Sequence, residues 1–447
     1  MAVWQTGLGR DRIVQEVGVP QTVKPEQPSS SSPLRQPYVP MVLAALAVRL
    51  AVIPFVYRDW LDPFVVEHWA FGRVARSILL GHGFGNVFAD TGATAILPPV
   101  YCYVVAAIFK IFGDHTAASI IATLALNCVF SALICVPVFL IAKYGFGDKP
   151  AKWAGWAWAF LPYGIYFSAD WAWSTPLLTL LLSVLFLFAI HLESTTRIRS
   201  WIMFGALCGV TALTEPVALS IMPFLGALSW LRLRRKNVRW VWPGVAAGLA
   251  LAVVLAPWFV RNYETFHHFI PVRDGFGLEL YLGNNGDSSY WATRSVHPNH
   301  SDAELAEYAR VGELAYMAHK KQQAVDFIGS HRLWFAWMSL RRLVYLWTGF
   351  WSFDRQYLAQ EPLDPPNIFM GTTLSVLALI GLRRAFQNHR AVAIRFAIAL
   401  FFFPLVYYLS HPETYYFRPL DPLLTILAAY AVAGWKSGNR TTQRVRS

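Results

Sequence analysis

Apolar runs close to the length of a membrane-crossing helix recur along most of this chain, at 39–56, 96–113, 116–142, 153–169, 174–191, 201–214, 216–231, 240–260, 366–382, 391–410 and 419–435. A crossing helix needs about 20 residues of this kind, and in lipid its backbone groups must be bonded within the segment. Charged residues make up only 14% of the 447, against roughly 25% in soluble domains. The 19 Trp and 19 Tyr suit the aromatic belts of a membrane interface. The expected class is an all-α polytopic membrane protein with about 10–12 transmembrane or re-entrant helices and a small extracytoplasmic segment.

The net charge of +12 raises the question of nucleic acid. Most basic residues, however, sit in short loops between apolar runs, which is the positive-inside pattern, and no nucleic-acid partner is expected. Five such segments fix a topology: Lys143, Lys149 and Lys152; Arg197 and Arg199; Arg232, Arg234, Arg235, Lys236 and Arg239; Arg383, Arg384, Arg390 and Arg395; and the tail with Lys436, Arg440, Arg444 and Arg446. With all five cytoplasmic, the first loop 57–95, Asp170, the stretch 261–365 and the turn 411–418 lie outside. The hairpin 201–231 carries Glu215 at its outer tip. Segment 96–113 then cannot be a simple crossing; it opens on Pro98-Pro99, and a re-entrant or tilted helix is expected.

The resulting organisation is a disordered cytoplasmic tail over 1–37, rich in Pro, Ser and Gln without the apolar core of a signal peptide; a transmembrane module over 38–260; an extracytoplasmic region over 261–365, in which 333–352 is amphipathic enough to lie in the interface; C-terminal helices over 366–435; and a basic tail over 436–447. Ser301 to Ile328 reads as one helix capped by Ser301 or Asp302, and 271–285 as a Gly-punctuated, strand-like return. Cys102, Cys128, Cys135 and Cys208 all lie in apolar stretches without a CxxC pair, so packing is their expected role.

Chemistry concentrates in the outer loops. Asp59, Asp62 and Glu67 fall within nine residues of each other just past the first span, where a carboxylate can take a proton from an attacking hydroxyl or amine. One such acid alone is more often a solvated interfacial residue. The cluster, with Asp170 in Ser168-Ala169-Asp170-Trp171 on the same face, favours function. Arg261 and Asn262 end a span in Pro257-Trp258-Phe259-Val260-Arg261-Asn262-Tyr263, Arg273 follows in Pro271-Val272-Arg273-Asp274-Gly275, and Arg418 closes Tyr415-Tyr416-Phe417-Arg418-Pro419. Arginine makes forked contacts to phosphate, although each can also be an interfacial anchor. Arg49, inside the first span, is costly unless paired; it either meets an acid of the first loop or reaches the outer interface. His297 and His300 form a loose HxxH, a weak metal signal. There is no P-loop, no dinucleotide glycine fingerprint and no GxSxG, so a donor carried by the membrane fits better than a nucleotide.

Four patches together resemble the integral-membrane (GT-C fold) glycosyltransferases, which include the protein O-mannosyltransferases, the lipid A aminoarabinose transferases and RgtA/B/C/D-like transferases. They are Glu67 to Phe84, ending in Gly-His82-Gly-Phe; Pro98-Pro99-Val100-Tyr101; Pro257 to Asn285; and Phe417-Arg418-Pro419-Leu420-Asp421-Pro422. The resemblance spans 39–435. It implies a sugar donor on a polyprenyl phosphate, transfer on the outer side of a cell membrane with inversion, and a lipid, glycan or protein acceptor. It also implies a first-loop carboxylate as base and basic residues on the departing phosphate. Glu67 falls where the family places its first-loop acid, with Asp59 or Asp62 as the alternative base, and Asp170 lies close to the second family acid. The substrate-binding candidates are Arg261, Asn262, Arg273, Arg418, Tyr416 and His82. No cofactor is evident, and a divalent metal is possible but not indicated. A lipid-linked oligosaccharide polymerase or ligase is the main rival, and a lipid-linked sugar transporter or flippase the second.

Overall fold

The computed structural model describes residues 36–235, 241–288, 293–351, 355, 358 and 364–443. The tail expected over 1–37 lies outside the described residues except at its last two positions, as do Lys236, Arg239, Arg444 and Arg446. Among the described residues the chain is helices and turns, with a single isolated bridge between Gly85 and Ala93. Among the described residues, seven helices are long and apolar enough to cross a membrane: Val39–Val56, Ala117–Phe146, Thr175–Ser194, Pro216–Arg235, Val241–Phe266, Pro365–Asn388 and Arg390–Leu409. The shorter apolar helices Pro99–Phe112 and Ile198–Thr214, the broken pair Asp148–Phe160 and Pro162–Ala169, and Asp421–Gln443 complete the bundle. The four cysteines are buried within it.

Buried polar contacts explain the breaks. Pro162 has no N–H to continue the helix before it, and Leu161 is extended there, which leaves carbonyls of the last turn open. Arg49 fills the gap. Its guanidinium donates to Ala159 O (2.7 Å), Trp158 O (3.1 Å) and Ser131 Oγ (2.9 Å). It therefore meets neither a first-loop acid nor the interface; the carbonyls of a broken neighbouring helix satisfy it. Arg49→Leu is expected to cost about 3 kcal/mol, since hydrogen bonds to a charged group are worth about 1.5–3 kcal/mol each and the carbonyls would be stranded. The thermal midpoint in detergent measures this, and a midpoint equal to wild type would refute it.

Two local expectations are corrected. The stretch read as strand-like is a helix, Phe276–Gly283. Its glycines serve close packing: a Cβ on Gly277 would stand 2.0 Å from Met317 O, and one on Gly283 2.0 Å from Ser410 O. The single helix expected over Ser301–Ile328 is two, Asp302–Val311 and Glu313–Ser330, because Gly312 turns the backbone to φ +81° between them. Ser301 caps the first, its Oγ accepting from Glu304 N at 3.4 Å. Segment 96–113 forms Pro99–Phe112, whose two ends both meet first-loop partners: Leu97 shares a chamber with His68, and Phe109 and His115 both pack on Trp69. At 14 residues it is about 21 Å long.

The charged loops sort to two ends. At one, Glu193 pairs with both Arg232 and Arg395, Lys143 meets Asp148 at 3.2 Å, and Lys149 donates to Ala433 O at 3.2 Å. At the other, the first loop, the Asp170 turn, Glu215, the 271–300 segment and the 411–418 turn converge.

Candidate functional site

Tryptophans hold the first loop onto the bundle. Trp60 Nε1 donates to Asp170 O (3.0 Å) and Trp69 Nε1 to Ala172 O (2.9 Å), while Phe71 sets its edge against Trp173. The far side of the loop is clamped by Arg261, which donates to Phe84 O (2.6 Å) and Thr94 O (2.7 Å). Glu313 pins the same strip, accepting from Thr94 Oγ1 (2.6 Å), Ala95 N (2.7 Å) and Tyr308 OH (2.8 Å).

Burial pushes the Glu313 carboxyl up to about 7. A carboxyl raised on folding binds its proton more tightly in the folded state, so stability falls as pH rises from the ordinary carboxylate range to about 7. Wild type should therefore lose more of its thermal midpoint between pH 5 and pH 7.5 than Glu313→Gln does. Equal losses would show that Glu313 does not carry the dependence.

Between these supports lies a chamber of about 880 Å³. Its centre is an ion cluster drawn from three distant segments. Glu215 follows the last turn of Ile198–Thr214, where Pro216 prevents continuation. Arg273 meets Glu215 at 3.6 Å and Glu279 at 2.9 Å. Glu279 also accepts from His411 Nε2 (2.8 Å) and Tyr416 OH (3.3 Å), and Ser174 Oγ donates to Glu215 at 3.3 Å. Desolvation opposes charge at Arg273, but Glu279 and Glu215 outweigh it and hold the guanidinium protonated. Desolvation also opposes charge at Glu279, yet the hydrogen bond and charge of His411, with Arg273, hold it at about 2. At Glu215 burial wins and raises the carboxyl, against Arg273 and Ser174. Glu413 lines the same chamber, is raised by burial, and has no side-chain hydrogen bond among the described residues.

Of the sequence candidates, Arg273 and Tyr416 line the chamber. Glu67 does not line it; its side chain is exposed beside His68, which does. Asp59 and Asp62 are exposed, and Asp62 caps the helix Pro63–His68 by accepting from Phe64 N at 2.8 Å. Asp170 is half-buried outside the chamber, its carboxyl raised to about 6 by burial and then by Asp59. Asn262 is buried and donates to Ile270 O at 3.0 Å. Arg418 lies 3.8 Å over the Tyr163 ring, 3.4 Å from Asp421, beside a second cavity of only about 20 Å³. His82 is exposed. Glu215, Glu279, His411, Glu413 and Arg294 escaped the sequence reading as site residues; the acid at the hairpin tip and the His-Pro-Glu of the last turn were the available signals. Among the described residues, no three metal-capable side chains gather as a metal-ion site.

A family model for dolichyl-phosphate-mannose-protein mannosyltransferases matches residues 97–260. No curated protein matches the chain. Among solved structures, the chain is similar to the Archaeoglobus fulgidus oligosaccharyltransferase in its apo form (TM-score 0.54, 12% identity, covering 92% of this chain and 52% of that one). It is likewise similar to the same enzyme, AglB, in complex with an inhibitory peptide and a dolichol-phosphate (TM-score 0.53, 12% identity, 91% and 51%). ArnT from Cupriavidus metallidurans bound to undecaprenyl phosphate gives a TM-score of 0.49 at 15% identity, covering 88% and 59%. The chain thus spans about half the length of the oligosaccharyltransferase chains it matches.

Proposed function

We propose that this chain, a multi-pass membrane protein with the GT-C fold of integral-membrane glycosyltransferases, moves a sugar from a polyprenyl-phosphate-linked donor to a nucleophilic acceptor on the extracytoplasmic side. The observation that carries the reading is the chamber: about 880 Å³ of space in which carboxylates, imidazoles and two guanidinium groups converge beside apolar helix ends. The dolichol-phosphate in the archaeal structure of this fold supports a lipid-phosphate donor.

Each chemical requirement has a residue. A polyprenyl tail would leave along Val217, Leu219, Phe402 and Leu405, which line the chamber and belong to segments long and apolar enough to cross the membrane or to the turn that opens one. Its phosphate would then lie near Arg273, the charge available to the departing oxygen. Glu215, its carboxyl raised by burial, would offer a proton to that oxygen. The tryptophan-pinned loop would exclude water from the transferring sugar.

The base is assigned to Glu67, at the rim next to His68, where it would take the proton of the attacking group as the anomeric bond to phosphate breaks. Glu413 favours a second reading, because it lines the chamber with no side-chain hydrogen bond among the described residues. Transfer from radiolabelled polyprenyl-phosphate sugars in membranes, run with Glu67→Gln and Glu413→Gln, decides between them. Loss of about 10²–10⁴-fold in Glu67→Gln alone supports the assignment; loss in Glu413→Gln alone moves the base inside the chamber. Transfer by neither variant nor wild type, across several sugars and acceptors, would favour the polymerase and transporter readings.

A further inference from the structure

The mouth of the chamber has a chemistry the transfer reaction leaves unused. His68 from the first loop and Arg294, His297 and His300 from the segment before Asp302–Val311 all line it. The His68 and His300 rings lie parallel with centroids 5.9 Å apart, and His297 is 5.8 Å from His300. The donors of this wall are unspent. His297 Nδ1 accepts from Asn299 N at 3.0 Å, which fixes the proton on Nε2; that N–H has no hydrogen-bond partner among the described residues. Nor does the guanidinium of Arg294, which feels the charge of Glu413 but has no carboxylate within ion-pair distance, whereas Arg273 is held between two.

We infer that this mouth is an acceptor subsite for an oxyanion group, a phosphate or a carboxylate, bound by Arg294, His297 and His300. The inference rests on the proposed transfer reaction only for the word acceptor. N–H donors of a guanidinium and two imidazoles, with no carboxylate hydrogen-bonded to them although Glu413 and Glu279 lie near, match the oxygens of an anion. The tail exit, lined by Val217 and Phe402, belongs to the turn after Glu215 and to the helix Arg390–Phe402, while the mouth comes from the first loop and the 294–300 segment. An anion bound at the mouth would be the acceptor's own, set beside Glu67.

His297 is pushed down to about 4 by burial, with His300, His411 and His68 adding to the effect against Glu279; His300 is lowered by burial, Arg294 and His68. The charge of an arriving anion would oppose these effects and draw protons onto the rings, so binding should tighten as pH falls.

The test is equilibrium binding of inorganic phosphate, and separately of glucuronate, to the full-length protein in detergent at pH 7.5 and pH 6. At least one anion is expected to bind saturably, more tightly at pH 6, at least tenfold more weakly in Arg294→Ala, and near wild-type strength in Arg294→Lys. Polyprenyl phosphate at saturation should not displace it. The anion that binds tells a phosphorylated acceptor from a uronate-bearing one. The inference falls if neither anion binds wild type, if Arg294→Ala binds equally well while its thermal midpoint is unchanged, or if polyprenyl phosphate competes, which would place the anion on the donor's site. Binding is measured without turnover, so this failure is separable from a failure of label to reach an acceptor.

Discussion

Replacing Arg273 by Gln should lower sugar transfer by about 10²–10³-fold, the usual cost of removing one preorganised charge partner from a developing oxyanion. The reason is its setting. Arg273 reaches Glu279 at 2.9 Å and Glu215 at 3.6 Å, so its guanidinium is fixed before any phosphate arrives and needs no reorganisation when charge develops. Removing it also leaves two carboxylates facing each other in an enclosed space, and one of them must then take up a proton. A fall in activity could therefore reflect a disordered cluster instead of a lost phosphate partner. The double variant Arg273→Gln/Glu279→Gln separates the two effects, because it removes one charge of each sign. Its thermal midpoint should recover toward wild type while transfer stays low. Transfer within tenfold of wild type in that double variant would assign Arg273 a purely structural place between its two carboxylates.

The difference between Arg273 and the other arginines shows what the sequence could and could not convey. The bundle itself was legible, because continuous apolar runs leave the backbone few ways to bond. The site was less legible, because Arg261, Arg273 and Arg418 carry the same local signal: an arginine in an outer segment next to apolar and aromatic residues. Only the three-dimensional arrangement puts Arg261 on the carbonyls of Phe84 and Thr94, Arg418 on Tyr163 and Asp421, and Arg273 between two acids. Those acids, Glu215 and Glu279, lie 64 residues apart in number and share no motif, so no local pattern could have paired them. The helix Phe276–Gly283 was missed for a related reason. Its glycines looked like turns because the backbones they pack against, at Met317 and Ser410, are far away in sequence.

Gly283→Ala should be the most damaging single methyl group that can be added near the site. The new Cβ would stand 2.0 Å from Ser410 O, 2.7 Å from Ser410 C and 3.1 Å from His411 Cβ. The first two are backbone atoms and cannot rotate away, so the 410–411 strip itself must move. Overpacking of this kind costs about 1–3 kcal/mol, and the upper end is expected here. The catalytic consequence follows from what that strip carries. His411 donates to Glu279 at 2.8 Å and is the chief opponent of desolvation in holding that carboxyl at about 2. Moving His411 away would let Glu279 rise toward the ordinary carboxylate range, loosen its hold on Arg273, and shift the acid limb of the rate profile upward. Transfer at pH 5 relative to pH 7 should therefore fall further in Gly283→Ala than in wild type, together with a lower thermal midpoint. Gly286→Ala is the control, since a Cβ there meets nothing within 4 Å, and it should match wild type in both measurements. A Gly283→Ala protein with an unchanged midpoint and an unchanged pH profile would mean that the contact between Phe276–Gly283 and the last outer turn does not hold the ion cluster together.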